Sequence, residues 1–259
     1  MTTMSSQVSG ASAPVWHDPV RQRRLGAGLL ASAGAYLAAA ATMSLVFVSG
    51  PPSRLVGNVA ELEQGFALYR WGFLGASLLA PALVAVLVLL MTVARVPAHS
   101  ARRWLGTILL AAYVPFATLA YSTQYMVLPR LVATDPEAAA LWYLHDVDSI
   151  AYAVDLTGYA LLGLAAIVLA STLLAHGRLL RWVAAWLVAM GVLSLAAMGF
   201  HAAGATTAAS VSTVSSALCT LPVMLLAMMA GRRLRTTVGV VDTAPSPGRA
   251  PGAPKRTGA

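Results

Sequence analysis

One stretch of this chain carries side chains that could do chemistry, at a spacing that brings them together. In HDVDSIAYAVDLTGY, residues 145–159, Asp148, Tyr152, Asp155 and Tyr159 follow one another at intervals of four, three and four. On an α-helix that spacing puts all four on one face. The surrounding sequence is apolar, and Asp155 falls about 10 Å below the start of the helix at 1.5 Å per residue. An ionisable group at that depth in hydrocarbon is costly unless it is paired or faces a water-filled cavity, so Asp155 calls for a partner. Arg70, one turn inside the second apolar run, is the expected counter-charge. Tyr121, Gln124 and Tyr125 end the third run, and His201 ends the fifth, beside Thr206, Thr207, Ser210 and Thr213 at the start of the sixth. The expectation is a polar chamber in one half of a helix bundle, with Asp155 paired to Arg70 and with Tyr121, Gln124, Asp148, Tyr152 and His201 as further ligand-binding candidates.

Three readings of this constellation stand side by side. In the first it binds a small polar solute or a lipid head group. In the second it only knits helices together, in a structural or accessory subunit. In the third it holds a metal or a haem. His145, Asp146, Asp148 and His201 are ligand types that suit a divalent metal, with His145 and His201 the candidates, but no HExxH or comparable spacing is present. His145 with His201 and His99 with His176 make two candidate axial pairs for a haem, yet His99 and His145 fall in connections rather than in apolar runs. No motif calls for a cofactor. No GxSxG, Walker or Rossmann pattern is present either, so no catalytic residue is assigned.

The elements that must position these residues are legible from composition. Of 259 residues, 58% are hydrophobic and 10% charged, against roughly 25% charged in soluble proteins. A helix needs roughly 20 mostly apolar residues to cross a bilayer, and six stretches qualify: 25–49, 67–94, 104–128, 149–175, 182–203 and 208–231. They are continuously apolar, whereas barrel strands would alternate. The fold class is therefore all-α, a polytopic bundle of six transmembrane helices occupying residues 21–235, between a polar tail (1–20) and a basic Pro/Gly-rich tail (236–259), both expected to be disordered. The first run exceeds the 7–15 residues of a signal-peptide core and reads as a signal anchor. Cys219, the single cysteine, reads as a packing residue.

The net charge of +8 would suggest nucleic acid in a soluble protein, but the basic residues are placed by topology instead. Arg21, Arg23, Arg24, Arg95, Arg102, Arg103, Arg178, Arg181, Arg232, Arg233, Arg235, Arg249, Lys255 and Arg256 fall on one side of the alternating runs. Arg54, Arg70 and Arg130 fall on the other, with seven of the nine acids. The positive-inside rule then makes both termini cytoplasmic. Trp71 and Trp142 mark the outer boundary, Trp104 and Trp182 the inner one. Small residues four apart, Gly34 with Ala38 and Gly72 with Ala76 and Ala80, suit close helix packing. Pro81, Pro115 and Pro222 should kink their spans.

The segments AELEQGFALYRWGFLGASLLAPALVAVLVLL (60–90), YSTQYMVLPRL (121–131) and DSIAYAVDLTGYALLGLA (148–165) together resemble uncharacterised multi-pass bacterial membrane proteins of the domain-of-unknown-function class. The resemblance implies six spans in a bacterial inner membrane and no assigned activity. Preference for Ala, and for Arg over Lys, fits a GC-rich bacterial genome. The implied partners are the lipid bilayer and a small-molecule or lipid ligand, with no nucleic acid.

Overall fold

Long apolar runs interrupted by short polar connections dictate helices that must return on themselves, and this is what the computed structural model of residues 18–242 contains. The described helices are α1 (Pro19–Val48), α2 (Val59–Ala76), α3 (Leu79–Val93), α4 (Ala101–Met126), α5 (Leu128–Thr134), α6 (Pro136–Leu141), α7 (Ile150–Leu173), α8 (Arg178–Ala202) and α9 (Thr206–Asp242). Taking α2 and α3 as one interrupted span, six are long and apolar enough to cross a membrane. The short helices α5 and α6 lie in the connection between the third and fourth spans.

Several boundaries differ from expectation for identifiable reasons. The first helix begins at Pro19 rather than at 25, because the Asp18 carboxylate accepts the Val20 N–H at 2.9 Å and Pro19 occupies the first helical position, where its missing N–H costs nothing. The second span begins at Val59 rather than at 67, so its first turns, with Glu61 and Glu63, extend past the apolar stretch. The last helix runs on to Asp242, which makes residues 236–242 of the expected tail helical. Residues 1–17 and 243–259 of the two expected tails lie outside the described residues.

The three intrahelical prolines do not act alike. Pro81 lacks the N–H that would satisfy the Ser77 carbonyl, and the second span breaks there, α2 ending at Ala76 and α3 starting at Leu79. The Ser77 hydroxyl donates to the Phe73 carbonyl at 3.0 Å, within the interrupted turn. Helices α4 and α9 continue through Pro115 and Pro222.

The spans pack in chain order around a ring. Each lies against its sequence neighbours: α1 on α2 and α3, these on α4, then α4 on α7, α7 on α8 and α8 on α9, and α9 closes the ring on α1. Helix α3 also touches α7 and α9 across the interior. Its Leu83, Val86, Leu87, Leu90 and Met91 are buried and plug the half of the ring nearer the chain termini. Large apolar side chains face outward on the ring's perimeter, among them Leu74, Ile108, Leu164, Val192, Val211 and Leu225, a surface suited to lipid rather than water. Trp71, Trp104 and Trp182 are exposed on it.

Two pairs of glycines allow backbones to touch. A Cβ added to Gly163 on α7 would lie 2.9 Å from the Gly191 carbonyl oxygen of α8, and one added to Gly26 on α1 would lie 2.6 Å from that of Gly231 on α9. Gly72, Ala76 and Ala80 are buried as expected, Gly72 against Val46 of α1. The other expected pair is not an interface: space is open around Gly34, and Ala38 is exposed. Hydroxyls complete the seams. Ser194 of α8 and Ser216 of α9 lie 2.6 Å apart, and Ser216 donates to the Met190 carbonyl at 3.1 Å.

Candidate functional site

The ring is plugged by α3 on the side of the termini, and Leu79, the first residue of α3, lines a cavity of about 340 Å³ in the distal half. Helix α7 brings in Asp155 and Tyr159, which are one turn apart and face the cavity together. Tyr36 enters from α1, Tyr121 from α4, and Thr213 and Thr220 from α9. Apolar side chains, including Met43, Phe47, Leu144 and Leu218, form most of the remaining wall. No basic side chain is among the described residues that line it.

Asp155 sits five residues into α7, or about 7 Å along its axis. Its Oδ1 is buried without a hydrogen-bond partner, and the Tyr121 and Tyr159 side chains line the same cavity as the carboxylate. Across the cavity, Tyr36 and Thr220 join α1 to α9 through a 2.6 Å bond between their hydroxyls. The site is therefore a carboxylate, three phenols and two threonines in a largely apolar chamber. Such a set can hold a cation or a cluster of hydrogen-bond donors, and its aromatic faces suit an organic cation.

The counter-charge expected for Asp155 is elsewhere. Arg70 is exposed on α2 and lines a separate surface pocket with Ala67, Trp71, Leu74 and Tyr125, so the expected Asp155–Arg70 pair is not formed. Asp148 leaves the expected face as well. Ser149 caps α7 by accepting the Tyr152 N–H at 3.0 Å, so the helix begins after Asp148, which instead meets Arg54 at 3.5 Å on the exposed surface. Tyr152 does face inward, but between α7 and α8, with its ring 5.4 Å from that of His201. The Tyr152 hydroxyl and the His201 Nδ1 are both buried without partners.

Gln124 is fully buried, and its amide is engaged within the protein. Its Oε1 accepts from the Tyr69 hydroxyl at 2.7 Å and from the Leu144 N–H at 3.2 Å. Its Nε2 donates to the carbonyls of Trp142 at 2.8 Å and Ala120 at 3.1 Å, with Thr123 Oγ1 also at 3.1 Å. It is the fastener between α4, α2 and the connection that caps the distal end, with no group left over for a ligand. Close by, His145 packs among the rings of Tyr69, Phe73 and Tyr143. Burial pushes its pKa down from 6.5 to about 4, and its Nε2 has no partner. The Tyr143 hydroxyl donates to the Pro52 carbonyl at 2.5 Å, tying this cap to the connection after α1. Burial pushes its pKa up, with the charges of Glu61 and Asp146 adding to the effect.

His145 and His201 thus pack against different aromatic partners in different parts of the distal end. Among the described residues, no three His, Cys, Asp or Glu side chains are grouped as a metal site requires. Tyr36 and Thr220 were missed by the sequence reading. The available signal was a lone tyrosine in the apolar run ASAGAYLAAAA, whose hydroxyl must find a partner when buried. Comparison with family models, with curated proteins and with solved structures finds no match to this chain.

Proposed function

We propose that this chain is a multi-pass protein of a bacterial inner membrane whose distal half holds a binding chamber for a small amphipathic ligand, one that presents a cationic or donor-rich group to Asp155. The observation that carries the reading is the unpartnered, buried Asp155 Oδ1 in a cavity of about 340 Å³ with three tyrosines and largely apolar walls. An acceptor left open in such a place is what a ligand's N–H groups would complete. The arginine distribution supports cytoplasmic termini, so the chamber would lie in the outer leaflet. The reading involves binding, or binding coupled to transport, and no covalent step.

The test is thermal unfolding of the purified protein with hexylamine, hexanol and hexanoate, for the natural chain and for Asp155→Asn. Hexylamine should raise the melting temperature of the natural chain alone, and the other two compounds should not. An equal response of Asp155→Asn to hexylamine would sink the proposal.

The second reading, a structural or accessory subunit, is favoured by Gln124, whose polar groups serve only to join helices. Under that reading Asp155→Asn changes the melting temperature of the unliganded protein, and no amine shifts it for either chain.

A further inference from the structure

At the end of the bundle that carries both termini, the contact between Gly26 and Gly231 brings α1 and α9 together backbone to backbone. Beside that contact lies a groove of about 870 Å³. Arg23 and Arg24 reach it from α1, and Arg232 and Arg235 from α9; no acidic side chain is among the described residues that line it. On α1 the same groove continues over Val20, Ala27 and Leu30, which repeat at helical spacing and give it an apolar strip. Four guanidinium groups from two helices therefore share a mouth whose floor is hydrocarbon.

We propose that this groove binds an anionic glycerophospholipid, with its phosphate held among Arg24, Arg232 and Arg235 and an acyl chain lying along Ala27 and Leu30. Guanidinium groups match phosphate oxygens in bidentate geometry. Basic pockets between spans on the cytoplasmic side are where anionic head groups are held. A soluble phosphate would satisfy the arginines but would leave the apolar strip unused, so the combination favours a lipid. The inference rests on the spans crossing a bilayer and is independent of the Asp155 chamber.

The experiment is native mass spectrometry of the full chain in detergent, titrated with dioleoyl phosphatidylglycerol, with dioleoyl phosphatidylcholine and with inorganic pyrophosphate. The triple variant Arg24→Gln/Arg232→Gln/Arg235→Gln is compared with Arg102→Gln/Arg178→Gln/Arg181→Gln, which removes the same charge at the same end but outside the groove. Phosphatidylglycerol should bind the natural chain and the control variant alike, and the groove variant roughly 100-fold more weakly, at about tenfold or less per arginine. Phosphatidylcholine should bind all three equally weakly.

Equal weakening in both variants would mean that total charge governs binding and would overturn the site. Pyrophosphate competing phosphatidylglycerol off at equal concentration would mean a free-anion site and would overturn the lipid assignment. Should the triple variant not fold, the single variant Arg235→Gln carries the same comparison against Arg181→Gln, with a loss of roughly three- to tenfold expected.

Discussion

Tyr36 of α1 and Thr220 of α9 meet hydroxyl to hydroxyl at 2.6 Å, and the direction of that bond is determined by its surroundings. Thr220 gives its one proton to the Ala217 carbonyl at 2.6 Å, so Tyr36 must be the donor and Thr220 the acceptor. The bond closes the ring between the first and last spans and at the same time fixes one wall of the Asp155 cavity.

Tyr36→Phe should lower stability by about 1 kcal/mol, the net value of an ordinary hydrogen bond, because Thr220 keeps its own bond to Ala217. Chemical unfolding in detergent reads this directly. A loss several times larger would mean that the hydroxyl carries more of the α1–α9 seam than one bond provides.

Gln124→Leu should be far more damaging than its conservative volume suggests. It strands the Tyr69 hydroxyl, the Leu144 N–H and the Trp142 carbonyl together, each at about 1–3 kcal/mol if left unpaired. The check is the melting temperature beside that of Arg54→Ala, which removes only an exposed ion pair of 3.5 Å, worth about 0–1 kcal/mol. Similar melting temperatures for the two variants would contradict the role assigned to Gln124.

His145 should make the protein acid-sensitive in a defined window. Its pKa is about 4 in the folded protein against 6.5 ordinarily, so between these values the unfolded chain binds a proton that the folded chain refuses. Stability is therefore fully present above pH 6.5, declines as the pH falls toward 4 and levels off below, by a total of about 3 kcal/mol. His145→Phe keeps a ring among Tyr69, Phe73 and Tyr143 and should flatten this slope in melting curves taken from pH 7.5 to 4.5. An unchanged slope would remove His145 as its cause.

How far each residue was legible in the sequence depended on whether its role is set by local periodicity. The six spans followed from run length alone, and Asp155 and Tyr159 could be assigned to one face because both lie inside a regular helix. Asp148 was misassigned because the face rule holds only within a helix, and the Ser149 cap starts α7 one residue beyond it. Arg70 was misassigned because depth along a helix says nothing about azimuth, and α2 turns this arginine to the perimeter. The partners of Gln124 are largely main-chain groups in an irregular connection, which carry no sequence signature. The Tyr36–Thr220 bond spans 184 residues and depends on ring closure, which no local pattern announces.

Ring closure between α1 and α9 also sets an order of assembly. A chain made from its N-terminus supplies Asp155 on the fourth of the six candidate spans, two before α9 brings Thr213 and Thr220. Until then α1 and α7 have no wall between them, and the carboxylate borders an open seam rather than a chamber. The first helix must wait for the last before this wall is complete, and chains truncated before Thr206 would keep five of the six candidate spans and lose the side of the cavity that carries Thr213 and Thr220.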